Sequence, residues 1–227
     1  MAALRRLAWT TIALTGAAAI GIGGWHYARH WQPSTLDYPR QGIDVSHHQG
    51  AIDWPALPAQ GVDFAYIKAT EGGDRRDRRF AENWAGAGRA GIARGAYHFF
   101  TLCRPGADQA ANFIATVPPD PAMLPPVIDL EFGGNCAARP SAKALIAELA
   151  AFIRPVEARF GKPVTLYLTR EFDTAYTLSA RVNRPLWLRR LVLEPHWGAR
   201  AWSIWQASSF RRVRGITGRV DWNVMRP

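Results

Sequence analysis

Eight short apolar runs recur along the chain, and each of them ends in polar or aromatic residues. Runs of about four to eight apolar residues, rich in β-branched and aromatic side chains, are typical of buried strands. They cover residues 42–46, 64–71, 95–100, 126–131, 164–169, 185–189, 201–206 and 218–222. So many strands restrict the chain to sheet-based folds, and the segments between the strands indicate which one.

Between the early runs, apolar residues recur at the spacing of a helix. Between the last three runs they do not. Residues 78–90 can form a helix that ends at Gly91, residues 107–117 a second, and residues 141–160 a third with Gly161 after its end. Alternation of strands and helices favours a parallel sheet. We therefore predict an α/β fold, a modified TIM-like β/α barrel of about eight strands with several helices missing in the C-terminal part.

The N-terminal segment differs from the rest of the chain. Two arginines precede an almost uncharged apolar run over residues 7–24, which is the pattern of an export signal. Aromatic and basic residues after this run favour a signal-anchor in the inner membrane, facing the periplasm, over cleavage and secretion. Residues 31–40 are polar and proline-marked, as in a tether. We predict that residues 1–36 are a signal-anchor or signal peptide plus tether, and that residues 37–227 are the barrel.

The formal net charge of +10 indicates an anionic partner, because a basic surface concentrates polyanions. The arginines lie in short scattered clusters and do not alternate with aromatic residues, as they do in proteins that bind single-stranded nucleic acid. We therefore expect no nucleic-acid partner.

Two cysteines, Cys103 and Cys136, are too few for a zinc site of the usual four-ligand type. Each follows the end of a predicted strand, and adjacent barrel strands would bring both loops to the same rim. We predict a disulfide between them in the exported protein.

Polar and aromatic residues collect at the ends of the predicted strands. In β/α barrels the loops after the strands share one face, and that face carries the active site. The residues at these positions are Asp44, Glu71, His98, Asp129, Glu131, Tyr167, Trp187, Gln206 and Asp221. The sequence therefore predicts several carboxylates around one mouth of the barrel.

Asp129 and Glu131 occupy positions i and i+2 of one strand, so both side chains point to the same face. Repulsion between two such acids raises the proton affinity of one of them. Glycoside hydrolysis requires this division between a neutral acid and an ionised carboxylate. Two alternatives are a Mg²⁺ or Ca²⁺ site that also includes Asp44 and Asp221, and a solvated strand end.

From Gly42 to its end the chain resembles glycoside hydrolase family 25, the Chalaropsis-type lysozymes. The matching stretches are residues 42–50, 52–54, 64–72, 95–99, 129–131, 205–206 and 220–223. The resemblance implies a modified β/α barrel that cleaves the β-1,4 bond between N-acetylmuramic acid and N-acetylglucosamine in peptidoglycan. We expect peptidoglycan glycan strands and the membrane as partners, a monomer, and neither a cofactor nor a metal ion.

Carried over position by position, the resemblance implies that Glu131 is the general acid. Asp129 is then the residue that stabilises the intermediate or orients the acetamido group of the substrate, and Asp44 and Asp221 are supporting acids. The predicted substrate-binding residues are Glu71, Tyr66, Tyr97, His98, Tyr167, Trp187, Trp205 and Gln206. The aromatic members of this set are equally consistent with barrel core, and His98 with a neutral, hydrogen-bonded histidine.

Arg189 departs from the pattern of the resemblance, because many relatives carry a small residue at this position near a strand end, and an aromatic residue two positions on where this chain has Leu191. Two other functions stay open. One is a membrane-tethered peptidoglycan-binding module with little or no catalysis, and the other is a hydrolase of chitin-like polymers. The complete set of four acids favours the enzyme over the binding module.

Overall fold

The computed structural model describes the backbone of residues 2–227, together with the side chains of Trp9 and of residues 14–227. The strands within this range are β1 (Gln41–Val45), β2 (Phe64–Glu71), β3 (Arg75–Arg76), β4 (Ala93–Phe99), β5 (Val127–Leu130), β6 (Thr165–Leu168), β7 (Leu186–Arg189), β8 (Ile204–Arg211) and β9 (Val220–Met225). The helices are α1 (Ala2–His30), α2 (Phe80–Arg89), α3 (Gly106–Thr116), α4 (Ala142–Phe160), α5 (Arg170–Tyr176) and α6 (Leu178–Arg181).

The sheet closes on itself as a barrel. Its strands follow the order β1-β9-β8-β7-β6-β5-β4-β2, and pairing between β1 and β2 completes the ring. Strands β1, β2 and β4 to β8 run parallel to their neighbours in this series, whereas β9 is antiparallel to both β8 and β1. The short strand β3 pairs with β2 outside the ring. The predicted barrel of about eight strands is confirmed.

Helices cover the barrel unevenly. The three predicted helices form as α2, α3 and α4, and α4 begins after the N-cap Ser141 and ends at Gly161 with a φ of 65°. Three short 3-10 helices at residues 47–49, 54–56 and 58–60 occupy the β1–β2 connection. In the described chain no helix lies between β7 and β9, which agrees with the predicted loss of helices near the C-terminus. Helices α5 and α6 escaped prediction because they are only 7 and 4 residues long.

Two layers of apolar side chains hold the barrel together. The larger layer lies between the sheet and the helices, and it includes Phe113, Phe152 and Trp205. The smaller one fills the inside of the barrel with Phe64, Tyr66, Val127, Tyr167, Trp187 and Ile204. Adjacent residues of a strand point to opposite layers, and β2 and β5 to β8 contribute to both. Truncation of one of these large side chains to alanine typically costs about 3–5 kcal/mol.

The segment between α1 and β1 is packed on the barrel. Pro33 is buried, and the Gln41 side-chain amide donates hydrogen bonds to the carbonyl oxygens of Pro33 and Tyr38, both at 3.0 Å. Trp31 and Tyr38 pack against the outer core layer. The structure thus corrects the expectation of a free tether over residues 31–40, because apolar contacts hold this polar-looking segment in place.

Helix α1 contains the apolar run of residues 7–24. Part of this run lies outside the described side chains, and Leu14, Ile20 and Ile22 are exposed among those that are described. Within the described residues, no helix meets the length and hydropathy needed for a membrane span. The end of α1 contacts β8 and the residue after it, since the Arg212 amide donates to the Arg29 carbonyl at 2.8 Å and the Arg211 guanidinium donates to the His30 carbonyl.

The predicted disulfide between Cys103 and Cys136 is present, with a Cα–Cα distance of 6.3 Å. It joins the loop after β4 to the loop after β5. Asn135 links the same two loops, because its side chain accepts from the Leu102 amide at 2.9 Å and donates to the Glu131 carbonyl at 3.0 Å. The loop that carries Glu131 is therefore fixed by one covalent bond and a set of hydrogen bonds.

Candidate active site

A cavity of about 760 Å³ opens at the carboxyl ends of the parallel strands. This is the face that carries active sites in β/α barrels. Among the described residues, its lining includes the acids Asp44, Glu71, Asp129, Glu131, Glu171 and Asp221. The cations in the lining are Lys68, Arg189 and Arg219. All four acids predicted to be catalytic therefore share one cavity.

The barrel topology brings the two supporting acids together. Asp44 on β1 and Asp221 on β9 are directly opposite each other in the antiparallel pair. Burial raises the pKa of Asp44 well above its usual range, and the nearby Asp221 raises it further. Burial also raises the pKa of Asp221, to about 6. Removal of both charges from water is costly, so this pair retains protons at a pH where exposed carboxylates have lost them.

Asp129 and Glu131 lie at the end of β5 and directly after it. Burial is the main cause that raises the pKa of Glu131, while Arg189 lowers that pKa and Asp221 and Glu171 raise it. The sequence argument attributed this shift to crowding by acids, so desolvation replaces crowding as the leading cause. Burial also raises the pKa of Asp129 well above its usual range, followed by repulsion from Glu131. Both acids therefore hold a proton more tightly than exposed carboxylates do.

Two side-chain amides support the acids in the same manner. Asn223 accepts a hydrogen bond from Trp187 Nε1 at 3.0 Å and donates one from Nδ2 to Asp44 Oδ2 at 2.8 Å. Gln206 accepts from the Tyr167 hydroxyl at 2.6 Å, and its hydrogen bond to Asp221 lowers the pKa of that acid. Because the oxygen of each amide is occupied by an aromatic donor, its nitrogen is directed to the carboxylate.

Five of the eight predicted substrate-binding residues line the cavity. They are Glu71, Tyr97, Tyr167, Trp187 and Gln206. Tyr66, His98 and Trp205 do not line it, which corrects their assignment as direct substrate contacts. Tyr66 is 1% exposed and lies in the inner core layer, where its ring covers Gly95 on the next strand and packs 4.9 Å from the Trp187 ring.

His98 and Trp205 point away from the cavity into the outer core layer. His98 Nε2 donates to Gln109 Oε1 at 3.0 Å, and its Nδ1 accepts from the Thr70 hydroxyl at 2.7 Å. Burial lowers the pKa of His98 to about 4, so this histidine is neutral. The indole of Trp205 donates to the Arg190 carbonyl at 2.6 Å. Both side chains are thus structural.

Lys68, Glu171 and Asn223 are functional candidates that the sequence argument missed. Lys68 lines the cavity and forms an ion pair with Glu71 at 2.8 Å. Asn223 follows Asp221 by two residues on one strand, so the period-two rule that paired Asp129 with Glu131 identifies it as well. Glu171 lies in the first turn of α5. This helix is too short for its apolar residues to show a helical period in the sequence.

Histidines near the cavity serve as supports. His47 Nδ1 lies 2.7 Å from Asp77 Oδ2, which also accepts from the His47 amide at 2.9 Å. His48 lines the cavity.

In the part of the chain that the structure describes, no group of three or more His, Cys, Asp or Glu side chains is arranged to hold a metal ion.

The sequence profile of Glycosyl hydrolases family 25 matches residues 43–216. This chain belongs to glycoside hydrolase family 25. The resemblance inferred from short motifs is confirmed over most of the chain.

Individual relatives of this family 25 enzyme agree with the assignment. The chain is 36% identical to lysozyme M1 of Streptomyces globisporus, over 81% of this chain and 66% of that protein, so it spans slightly less than two thirds of that lysozyme. It is 32% identical to the N,O-diacetylmuramidase of Chalaropsis, over 80% of this chain and 95% of that protein. A family 25 glycosyl hydrolase from Bacillus anthracis has a similar structure, with a TM-score of 0.79, 35% identity and coverage of 89% of this chain and 94% of the other.

Proposed function

We propose that this family 25 enzyme is a muramidase that hydrolyses the β-1,4 bond between N-acetylmuramic acid and N-acetylglucosamine in peptidoglycan. The observation that carries the proposal is the position of Asp129 and Glu131 in one cavity, where burial raises the pKa of both. Membership of a glycoside hydrolase family with lysozyme and muramidase relatives supports this reaction over binding alone.

Glu131 supplies the proton for this reaction. Burial raises the pKa of its carboxyl, so Glu131 keeps its proton to a higher pH than an exposed glutamate does, as a general acid requires. The proton passes to the glycosidic oxygen while the bond from that oxygen to the anomeric carbon breaks. Water then adds to the anomeric carbon and returns a proton to Glu131, which restores the enzyme.

Asp129 acts on the sugar ring next to the broken bond. Its Oδ1 atom is buried and has no hydrogen-bond partner within the described structure. A buried acceptor without a partner is unusual in a folded protein. We propose that this oxygen accepts a hydrogen bond from the acetamido N–H of the substrate, or faces the positive charge that develops at the anomeric carbon. Lys68 lowers the pKa of Asp129 and so favours its ionised form.

Asp44 and Asp221 complete the acid cluster below the sugar. Asn223 and Gln206 direct their amide nitrogens to these two carboxylates. Tyr97, Tyr167 and Trp187 line the same cavity, where aromatic surface suits the apolar faces of sugar rings.

We propose that the enzyme acts outside the cytoplasm. The Cys103–Cys136 disulfide supports this location, since such bonds persist in oxidising compartments. The apolar run of α1 fits either an export signal or an anchor. In fractionated cells, full-length protein in the membrane fraction would indicate a retained leader, and a shortened soluble chain would indicate cleavage.

The decisive experiment treats purified peptidoglycan with the protein and follows the loss of turbidity, with mass spectrometry of the released reducing ends. Reducing ends of N-acetylmuramic acid are expected. Glu131→Gln serves as the matched inactive control, because it preserves shape and removes the transferable proton. Binding of peptidoglycan without cleavage by the unaltered protein would refute the proposal in favour of a binding module, and release of N-acetylglucosamine reducing ends would refute the bond assignment.

A further inference from the structure

Arg189 is a charged side chain in the cavity to which the described residues offer no hydrogen-bond or ion-pair partner. It is the last residue of β7, lies opposite Gln206 in the sheet, and is partly buried in the cavity wall. Its guanidinium forms no hydrogen bond or ion pair with any residue that the structure describes. An unpaired guanidinium in a cavity rich in acids is an unusual arrangement, because arginine forms bidentate pairs with carboxylates readily.

The other cations of the region differ from Arg189. Lys68 is paired with Glu71 at 2.8 Å, and the Arg219 guanidinium lies 5.6 Å from the centre of the Trp25 ring. The next residue along the chain, Arg190, donates to the Glu194 carbonyl at 2.6 Å. Among the cations that line the cavity in the described structure, Arg189 and Arg219 both have donors available to a ligand, and of these two only Arg189 acts on the pKa of the catalytic acids.

The charge on Arg189 acts on the catalytic acids without direct contact. It lowers the pKa of Glu131, Asp221 and Asp44, although no ion pair is formed with any of them. A substrate that carried a further carboxylate would be repelled by these acids to the extent that they are ionised. A free guanidinium in the same wall offsets that repulsion at one position.

We propose that Arg189 binds a carboxylate carried by the muramic sugar unit of the substrate, and so selects peptidoglycan over polymers of N-acetylglucosamine alone. This inference rests on the proposed function and deepens it. A carboxylate reaches this unit from two sources, the lactyl ether of the sugar itself or the peptide attached to it. Chitin chains have the same β-1,4 backbone and carry neither group.

The test measures binding, so that it does not depend on turnover. Glu131→Gln protein and the Glu131→Gln/Arg189→Gln double variant are titrated by calorimetry with three ligands: peptide-free glycan oligomers with a free lactyl carboxylate, oligomers that carry the peptide, and chitotetraose. Arg170→Gln in the same background is the matched control, because Arg170 is exposed, lies outside the cavity lining and carries the same charge.

We expect Arg189→Gln to weaken binding of the peptide-free oligomer by about 10- to 100-fold, as for the loss of one charged hydrogen-bonded pair. Binding of chitotetraose should change by less than about twofold, and Arg170→Gln should change neither. Weakening confined to the peptide-bearing oligomer would identify the peptide as the source of the carboxylate. Equal weakening of all three ligands, or of none, would overturn the proposal.

A kinetic measurement separates ligand binding from an effect on acid strength. If the only role of Arg189 is to lower the pKa of Glu131, Arg189→Gln in the active enzyme should shift the pH profile of the rate and leave the KM for peptidoglycan unchanged. That result would contradict the proposal. We expect instead a raised KM that persists at the new pH optimum. If no turnover is found for the unaltered protein, the proposed function fails, while the calorimetric comparison still decides the role of Arg189.

Discussion

Asn223 Nδ2 donates to Asp44 Oδ2 at 2.8 Å, and this hydrogen bond joins two residues that are 179 positions apart in the chain. It connects β9 to β1 at the point where the barrel closes. The bond lowers the pKa of Asp44, against the larger effect of burial. One amide thus contributes both to the closure of the fold and to the charge state of the cavity.

Replacement of Asn223 by alanine should weaken both contributions. Trp187 Nε1 and Asp44 Oδ2 would each lose a partner inside the protein, at a cost of about 1–3 kcal/mol for each unsatisfied group. We expect a lower free energy of unfolding in urea and reduced muramidase activity. Asn112→Ala is a suitable comparison, because Asn112 is also buried and hydrogen-bonded, but its side-chain amide donates to the Gly72 and Arg75 carbonyls and to none of the four acids. Equal activity losses in the two variants would contradict a specific role for Asn223.

Asp129 and Glu131 should both be essential for activity, and the effects of replacing them should not be additive. Glu131→Gln removes the transferable proton and should lower kcat by about 10²–10⁴. Asp129→Asn should cause a comparable loss through weaker stabilisation of the transition state. Because both residues act on one transition state, the double variant should be little worse than either single one. Steady-state rates on soluble glycan oligomers test this, with circular dichroism to show that each variant is folded.

The free energy of unfolding should fall as the pH rises, because Asp221 loses a proton that stabilises the folded state. Its pKa is about 6 in the folded protein, against 3.8 for the ordinary side chain. The folded state therefore binds this proton more tightly than the unfolded chain does. This contribution to stability is complete below about pH 4 and is lost as the pH rises through about 6, which amounts to at most about 3 kcal/mol.

Asp221→Asn should remove that dependence. We expect the variant to be more stable than the unaltered protein at pH 7, and the two to converge near pH 4. Urea titrations at several pH values measure the difference. A variant that is less stable at pH 7, with an unchanged slope between pH 4 and 7, would show that the proton on Asp221 is not responsible.

Loss of the disulfide should destabilise the protein more than it lowers activity. Cys103→Ser/Cys136→Ser opens a loop with a sequence separation of 33, for which restriction of the unfolded chain contributes about 3–4 kcal/mol. Asn135 still links the two loops and holds the Glu131 backbone. We expect a lower midpoint in urea with most of the activity retained. A reducing agent should shift the midpoint of the unaltered protein and leave that of the double variant unchanged.

The N-terminal boundary of the folded unit should lie near Trp31. A chain that begins at residue 31 keeps the contacts of Trp31 and Pro33 with the barrel, whereas one that begins at residue 37 loses them. We expect the first truncation to melt slightly below a version that begins at residue 26, because that version also keeps the hydrogen bonds to the Arg29 and His30 carbonyls, and the second to melt at a clearly lower temperature. Identical melting of all three would show that residues 31–36 contribute nothing.

Particular residues show how far the sequence alone could predict the site. Period two placed Asp129 and Glu131 on one face, and the same rule finds Asn223 from Asp221. The rule could not show which of Trp187 and Trp205 faces the inside of the barrel, because both faces of a barrel strand are buried and apolar. Only the register of the closed sheet shows that Trp187 points inward and Trp205 outward.

The fold was predictable where elements are long and was not where they are short or held by distant contacts. Helix α4 has a regular apolar face and clear ends, whereas α5 and α6 have too few residues for a period to develop. Residues 31–40 look polar because the apolar residues that pack on the barrel, Trp31, Pro33 and Tyr38, are separated in sequence. Their packing depends on Gln41 and on the barrel surface, which no local pattern reveals.

The position of Asp221 and Asn223 on β9 has a consequence for the order of events in biosynthesis. Asp44 is translated early, but Asp221, which lies opposite it, and Asn223, which donates to it, come from a strand that is made almost 180 residues later. A ribosome-bound chain that has not reached β9 lacks part of the acid cluster and leaves the ring open between β8 and β1. Pairings so distant in sequence also form slowly. The hydrolytic site thus comes into existence only after the polypeptide has been released far enough to complete its ring.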